Sequence, residues 1–196
     1  MRFVYQAEQQ YPQMEFSISD YKAQVQRCLN AAAAFSQETV ELSQKRRGAQ
    51  RELTGLKKYL VKANEQSGTE TCVARCGEKI DALARQAEDL RRQIETNRAQ
   101  ERKKRLEAEA CQVALQKLQA VSGRMARSLF QIAMLFGGEA TTLSSQPGGG
   151  ERFAAMREML GRSYKLAEAY EKLSVLSGNE ETKPQNEVLA KYGKYF

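Results

Sequence analysis

Histidine and tryptophan are absent from this chain of 196 residues, and proline occurs only three times. Without histidine, the chain lacks the commonest general base and the commonest metal ligand, which excludes histidine-dependent catalytic triads and most catalytic zinc sites. The scarcity of proline permits very long helices. No apolar run is long enough to span a membrane, and the opening sequence MRFVYQAEQQ lacks the apolar core of a signal peptide.

Apolar residues recur at alternating spacings of four and three along most of the chain, which is the heptad pattern of coiled-coil helices. The first series runs from residue 21 to residue 63, and eleven of its thirteen positions are apolar. The turn-forming sequence NEQSGT at 64–69 interrupts it. A second series then keeps one frame from Cys76 to Phe136. Polar residues occupy the middle of both series: Thr39, Arg46, Asn97, Glu101 and Lys104.

The two series fit each other as an antiparallel hairpin. Facing positions in such a hairpin have a constant index sum, and the pairs listed here all sum to 139 or 140: Leu60 with Ile80, Ala49 with Leu90, and Cys28 with Cys111. The turn then falls at about residues 65–75, where the turn-forming residues are. The sequence therefore predicts an all-α fold, a long antiparallel coiled-coil hairpin with a third helix packed at its open end, which together form an elongated helical bundle.

The remaining segments set the domain boundaries. Residues 1–18 contain two short strand-like stretches around Pro12 and predict an N-terminal arm or small hairpin. The segments that follow are the helical hairpin at 19–136, a flexible Gly-rich linker at 137–150, a third helix at 151–177 and a C-terminal tail at 178–196.

The four cysteines leave two alternatives open. Cys28 and Cys111 are predicted to face each other, and Cys72 lies four residues from Cys76 at the hairpin tip, so both pairs could form disulfides. Disulfides would imply an oxidising compartment, and the protein would then be extracytoplasmic or exported. The alternative is four free thiols that pack as small apolar residues. Because a signal peptide is absent, we expect free thiols and a cytoplasmic location.

An apolar segment near the end of the second helix has no counterpart on the first helix. It predicts either packing beneath the third helix or a surface for oligomerisation and partner proteins. The candidate contact residues are Met125, Leu129, Phe130, Ile132, Leu135 and Phe136.

The net charge of +7 suits an acidic partner such as nucleic acid. Basic residues form three clusters along the predicted hairpin, Lys45–Arg47, Lys57–Lys58 and Arg102–Arg105. The candidate contacts to a polyanion are Lys45, Arg46, Arg47, Arg102, Lys103 and Arg105. No recognition helix or base-stacking aromatic platform is evident beside them. A solvated helical surface is the simpler explanation.

Together these observations favour a non-enzymatic structural or adaptor protein that acts through coiled-coil and apolar helical surfaces in an oligomer or larger assembly. We expect no catalytic residue, cofactor or metal site. Two alternatives remain open: a basic helical protein associated with nucleic acid, and an exported component of a secretion system or surface appendage.

Overall fold

The structure is a computed structural model that describes residues 1–65, 70–145, 150–174 and 182–196, but not the side chains of residues 63–65, 70–73 and 182–185. The described residues are almost all helical and include no strand, which confirms the predicted all-α class. Within the described ranges, four helices follow one another, and a short 3-10 turn at Gly193–Tyr195 follows the last. They are α1 (Arg2–Glu65), α2 (Glu70–Ser144), α3 (Gly150–Leu173) and α4 (Thr182–Tyr192).

Helices α1 and α2, of 64 and 75 residues, pack closely against each other. Residues later in α1 contact residues earlier in α2, which is the order of an antiparallel hairpin. Three contacts follow this order: Cys28 with Glu107, Leu42 with Leu90 and Ile94, and Glu52 with Lys79. The helical hairpin is therefore confirmed, while the residue-by-residue pairing of the heptad positions stays a prediction.

Side-chain burial along both helices follows the heptad periodicity. Every heptad position from Tyr21 to Leu60, and every one from Cys76 to Phe136, is buried or half-buried. The reason is geometric, because residues three and four apart lie on the same side of an α-helix. The polar positions obey the same rule, and neither helix is interrupted at them.

The chain divides into two compact units. Unit 2, Val25–Glu109, is a two-helix hairpin whose buried cluster contains Leu42, Leu90 and Ile94. Unit 1 combines Met1–Gln24 with Ala110–Phe196. Its core takes residues from all four helices and the 3-10 turn: Val4, Ala7, Ala126, Leu129, Phe130, Ala133, Met159, Leu160, Tyr164, Ala167, Tyr170, Val188 and Tyr195. The third helix thus packs against the two long helices, as predicted.

The first segment of the chain is helical, so the predicted arm or small hairpin at residues 1–18 is wrong. Helix α1 begins at Arg2 and continues through Pro12. Val4 and Ala7 are fully buried in the unit 1 core. Burial of this face outweighs the strand propensity of Phe3–Tyr5 and the missing N–H of the proline, because tertiary packing supplies most of the stability of a helix.

Helix α2 continues beyond the predicted boundary at residue 136 and ends at Ser144. It passes through Gly137 and Gly138, which were predicted to begin a linker. A Cβ on Gly137 would lie 2.5 Å from the ring of Tyr192, so the missing side chain is what allows α4 to approach α2. Helix α4 itself lies within the predicted tail, where Val188 is fully buried.

Candidate interaction surfaces

Tyr170 connects three helices of unit 1. Its hydroxyl donates a hydrogen bond to the carbonyl oxygen of Ala7 on α1 at 2.8 Å. Its own carbonyl oxygen accepts a hydrogen bond from the hydroxyl of Ser122 on α2 at 2.6 Å. The ring of Tyr11 meets the Tyr170 ring edge-on, with 5.3 Å between centroids. Burial, with a smaller effect from Tyr11, raises the pKa of Tyr170. These contacts fix the position of α3 against both long helices.

Arg162 makes a second connection between α3 and α1. Its Nε donates to Oε1 of Glu8 at 3.1 Å, and its Nη2 donates to Oε2 at 2.6 Å. The guanidinium carbon also lies 4.6 Å from the centroid of the Tyr5 ring. The hydrogen bonds to Glu8 are the main reason that the pKa of Arg162 is raised. Such two-pronged pairing fixes the angle as well as the distance between the helices.

The structure places most of the predicted partner-contact segment inside the protein. Leu129 and Phe130 are buried in the unit 1 core, and three half-buried residues pack against that core: Met125, Ile132 and Phe136. Leu129 and Phe130 therefore pack within the chain, while partner contact through Met125, Ile132 and Phe136 stays a prediction. Of the six candidates, only Leu135 is exposed, with 69% of its surface accessible.

Leu135 belongs to an open apolar groove between α2 and α3, with a volume of about 690 Å³. We call this the α2–α3 groove, and its apolar lining comes from Met134, Leu135, Gly138, Leu143 and Met156. Glu139 and Arg152 contribute one charge of each sign at its margin.

A second depression, of about 530 Å³, lies between α3 and the end of the chain. Arg157, which lines it, donates a hydrogen bond from Nε to the carbonyl oxygen of Tyr195 at 2.6 Å. The Tyr195 hydroxyl is hydrogen-bonded with that of Thr141 at 3.3 Å, which is the main reason that the pKa of Tyr195 is lowered. These polar groups therefore attach the 3-10 turn to α2 and α3.

Three cysteines are free thiols in the structure: Cys28, Cys76 and Cys111. Neither predicted disulfide is therefore formed in it, although the side chain of Cys72 lies outside the described residues. Instead, the thiol of Cys111 donates to Oε1 of Gln24 at 3.5 Å. The structure thus gives this half-buried thiol a polar partner within its own unit.

Cys28 takes part in a small polar network in unit 2. Its thiol lies 3.9 Å from Oε2 of Glu107, and Nζ of Lys104 donates to the same oxygen at 2.7 Å. The hydrogen bond with Lys104 lowers the pKa of Glu107, and it raises the pKa of Lys104. This ion pair explains how a lysine is accommodated at a heptad position, since its charge is paired where it is half-buried.

The six predicted polyanion contacts differ in their exposure. Lys45, Arg47, Arg102 and Lys103 are exposed, as is Arg105, whose Nη2 pairs with Glu101 at 2.9 Å. Arg46 is half-buried, and its Nε is buried without a hydrogen-bond partner among the described residues.

A different set of basic residues shares one face of α1. It consists of four exposed residues whose spacings of four, seven and four keep them on one side of the helix: Arg47, Arg51, Lys58 and Lys62. We call this set the α1 basic face. It lies on the side of α1 away from the heptad positions. These four residues are not all neighbours in the sequence, and only the helical spacing brings them onto one side of α1.

Among the described residues, no cluster of cysteine and carboxylate side chains could hold a metal ion. Within the same residues, no helix is both long enough and apolar enough to cross a membrane. The described chain defines an all-α helical hairpin bundle with two separate surfaces of interest. No family model, curated protein or solved structure matches this chain.

Proposed function

We propose that this protein is a non-enzymatic helical adaptor that binds an amphipathic helix of a partner protein in the α2–α3 groove. The observation that carries the proposal is the exposure of Leu135 within an apolar lining. Leu135 is 69% exposed beside other apolar side chains, so covering it with a partner lowers the free energy of the complex.

The dimensions and charge of the groove favour a helix as its occupant. A volume of about 690 Å³ accommodates several side chains, as in the grooves that receive amphipathic helices. Glu139 and Arg152 give the margin one negative and one positive charge. A partner helix with an apolar stripe and flanking polar residues of both signs therefore complements this surface.

The surrounding bundle supports this function because it holds the groove in place before a partner arrives. Ser122 on α2 is bonded to Tyr170 on α3, and the rings of Phe130 and Tyr164 pack 5.7 Å apart between the same helices. Binding to a preformed groove costs less conformational entropy than ordering a flexible one.

The test is site-specific photo-cross-linking in cells that express the full chain. A photoreactive phenylalanine analogue replaces Leu135 in one variant and Val113 in the control, since Val113 is 50% exposed in the same unit but outside the groove. We expect a discrete cross-linked partner from position 135 and none from position 113. The purified partner should then bind the wild-type chain and its Val113→Glu variant, but not the Leu135→Glu variant.

Two outcomes would count against this proposal. A partner that binds the Leu135→Glu variant as tightly as the wild type does not use the groove. A cross-link only to a second copy of the chain, together with a dimer in light scattering that Leu135→Glu abolishes, would make the groove a self-association surface instead.

A further inference from the structure

The α1 basic face lies in a stretch of α1 that has a large excess of positive charge. Residues 42–62 contain seven basic residues and one acidic residue, Glu52, which pairs with Lys79 at 3.1 Å. The stretch of α2 that the predicted register places alongside, residues 77–97, contains four basic and five acidic residues. The excess positive charge of unit 2 is thus concentrated on one helix, and four of these seven basic residues lie on the side away from its hairpin partner.

The spacing of these cations suits a flexible polyanion. Arg47 and Arg51 are separated by one helical turn, about 6 Å along the axis, and so are Lys58 and Lys62. The two pairs begin about 16 Å apart on the same face. A chain of phosphates that follows the helix can therefore contact all four cations.

Two shallow depressions run along this face and share Gly55 and Lys58. One, of about 480 Å³, includes Arg47 and Arg51, and the other, of about 570 Å³, includes Tyr59 and Lys62. They meet at Gly55, where a Cβ would have nothing within 4 Å. The missing side chain thus leaves a notch between the two pairs of cations.

Tyr59 supplies an aromatic surface beside the notch. It is 55% exposed and lines the same depression as Lys58 and Lys62. An aromatic ring flanked by cations can stack on any nucleobase while the cations contact the adjoining phosphates. We propose that the α1 basic face binds single-stranded nucleic acid, with Tyr59 stacking on a base in the notch at Gly55.

Two other anionic partners fit this face less well. An anionic membrane is bound by helices that also insert an apolar face, but the apolar face of this part of α1 is turned towards α2, where Leu42 and Ala49 are buried. Duplex nucleic acid keeps its bases stacked on one another, which would leave Tyr59 without a role. An unpaired strand uses both the charge and the ring.

The test measures binding of the full chain to a fluorescently labelled 15-nucleotide oligothymidylate by anisotropy at several salt concentrations. Four phosphate contacts to a single strand predict that log K falls with log salt with a slope of about −3. A variant with four substitutions on this face should bind the oligonucleotide at least tenfold more weakly at low salt, and its slope of log K against log salt should be close to zero. The substitutions are Arg47→Gln, Arg51→Gln, Lys58→Gln and Lys62→Gln.

A charge-matched control separates this face from the overall charge. A second variant loses the same net charge from four exposed positions outside this face. Its substitutions are Arg85→Gln, Arg98→Gln, Lys117→Gln and Arg124→Gln. We expect this control to keep a slope of about −3. Equal loss of affinity in both combined variants would overturn the proposal, since it would assign binding to net charge alone. Helix content by circular dichroism checks that both variants are folded.

The stacking role has its own readout. Tyr59→Leu should weaken oligonucleotide binding between about fivefold and 150-fold with the salt slope unchanged, whereas Tyr59→Phe should bind like the wild type. Unchanged binding by Tyr59→Leu would overturn the stacking, and so would equal affinity for a duplex of the same length. Binding to phosphatidylserine vesicles without binding to the oligonucleotide would overturn the proposal as a whole. Leu135→Glu should leave oligonucleotide binding intact, because this face is independent of the α2–α3 groove.

Discussion

The phenolic hydroxyl of Tyr170 donates a hydrogen bond to the carbonyl oxygen of Ala7, 163 residues earlier in the chain, at 2.8 Å. Both residues are fully buried. The bond joins α3 to the beginning of α1 inside the unit 1 core. Removing this hydrogen bond therefore tests how much the contact between α3 and α1 contributes to the stability of the bundle.

We expect Tyr170→Phe to lower the free energy of unfolding by about 1 kcal/mol, because the ring is kept while one buried hydrogen bond is lost. Urea denaturation of the full chain measures this change. Tyr59→Phe is the matched control, since the Tyr59 side chain is exposed, and it should change stability by less than about 0.5 kcal/mol. Equal effects of the two substitutions would contradict the assigned bond.

The same tyrosine predicts a dependence of stability on pH. Burial raises the pKa of Tyr170 above its ordinary value of 10.0, so the folded protein holds this proton more tightly than the unfolded chain. The resulting stability is fully present below the unfolded pKa and is lost as the pH rises through the folded pKa. The stability difference between wild type and Tyr170→Phe should therefore narrow in urea denaturation above pH 10.0. A constant difference from neutral to alkaline pH would contradict the assignment.

Gly137 and Gly138 form a natural pair of test and control. A Cβ at Gly137 would lie 2.5 Å from the Tyr192 ring, whereas one at Gly138 would lie 3.7 Å from the Tyr192 hydroxyl, an ordinary contact. Gly137→Ala should destabilise unit 1. Overpacking against Tyr192 destabilises the fold by about 1–3 kcal/mol, whereas the higher helix propensity of alanine stabilises it by less than about 1 kcal/mol. Gly138→Ala should stabilise it by about 0.5–1 kcal/mol.

Thermal melting and limited proteolysis compare these two variants. Displacement of Tyr192 should make α4 of the Gly137→Ala variant more accessible to protease, with cleavage in the C-terminal residues. If Gly137→Ala is as stable and as resistant as Gly138→Ala, the close approach of α4 to α2 is wrong.

Thr39 is a polar residue at a buried heptad position, and its hydroxyl has no hydrogen-bond partner among the described residues. Thr39→Val removes an unsatisfied buried polar group, so we expect stability to rise by about 1 kcal/mol in urea denaturation. Thr54→Val is the control. Its hydroxyl is exposed and bonds to the Gln50 carbonyl at 2.8 Å, so its replacement should be neutral or slightly destabilising. A loss of stability on Thr39→Val would indicate that the hydroxyl has a partner after all.

The cysteines can be tested without mutation. Three free thiols in the structure lead us to expect that all four cysteines react with a thiol reagent in denaturant without reductant. The same sample after reduction and desalting is the control and should give the same count. A count lower by two or four before reduction would instead reveal disulfides and favour the extracytoplasmic location.

The heptad pattern predicted the hairpin because burial along a helix follows directly from its 3.6-residue turn. Thr39 and Lys104 show that the frame held even where the residue types were polar. The N-terminal arm or small hairpin was predicted from the strand propensity of short stretches such as Phe3–Tyr5. That propensity is weak, and packing against residues far along the chain outweighs it. Phe130 lies outside the heptad series, and its burial depends on the other helices of unit 1 that pack around it.

The two candidate surfaces could be predicted only in part, because they too depend on how the helices pack. Leu135 shares its apolar character with buried neighbours, and although it lies outside the heptad series, its place in the α2–α3 groove required the packed structure. The α1 basic face could have been predicted from the helical spacing of Arg47, Arg51, Lys58 and Lys62. The notch at Gly55 and the exposure of Tyr59 required the packed structure.

Unit 1 is assembled from the first 24 residues and from residues beyond 109, whereas unit 2 is one continuous stretch. On the ribosome, Ala7 must wait until the 163 intervening positions to Tyr170 have been added, roughly 10–30 s at ordinary rates of synthesis. The hairpin of unit 2 emerges earlier and can close first. The apolar face at Val4 and Ala7 therefore lacks its α3 neighbours until late in translation, when the hairpin of unit 2 can already have closed.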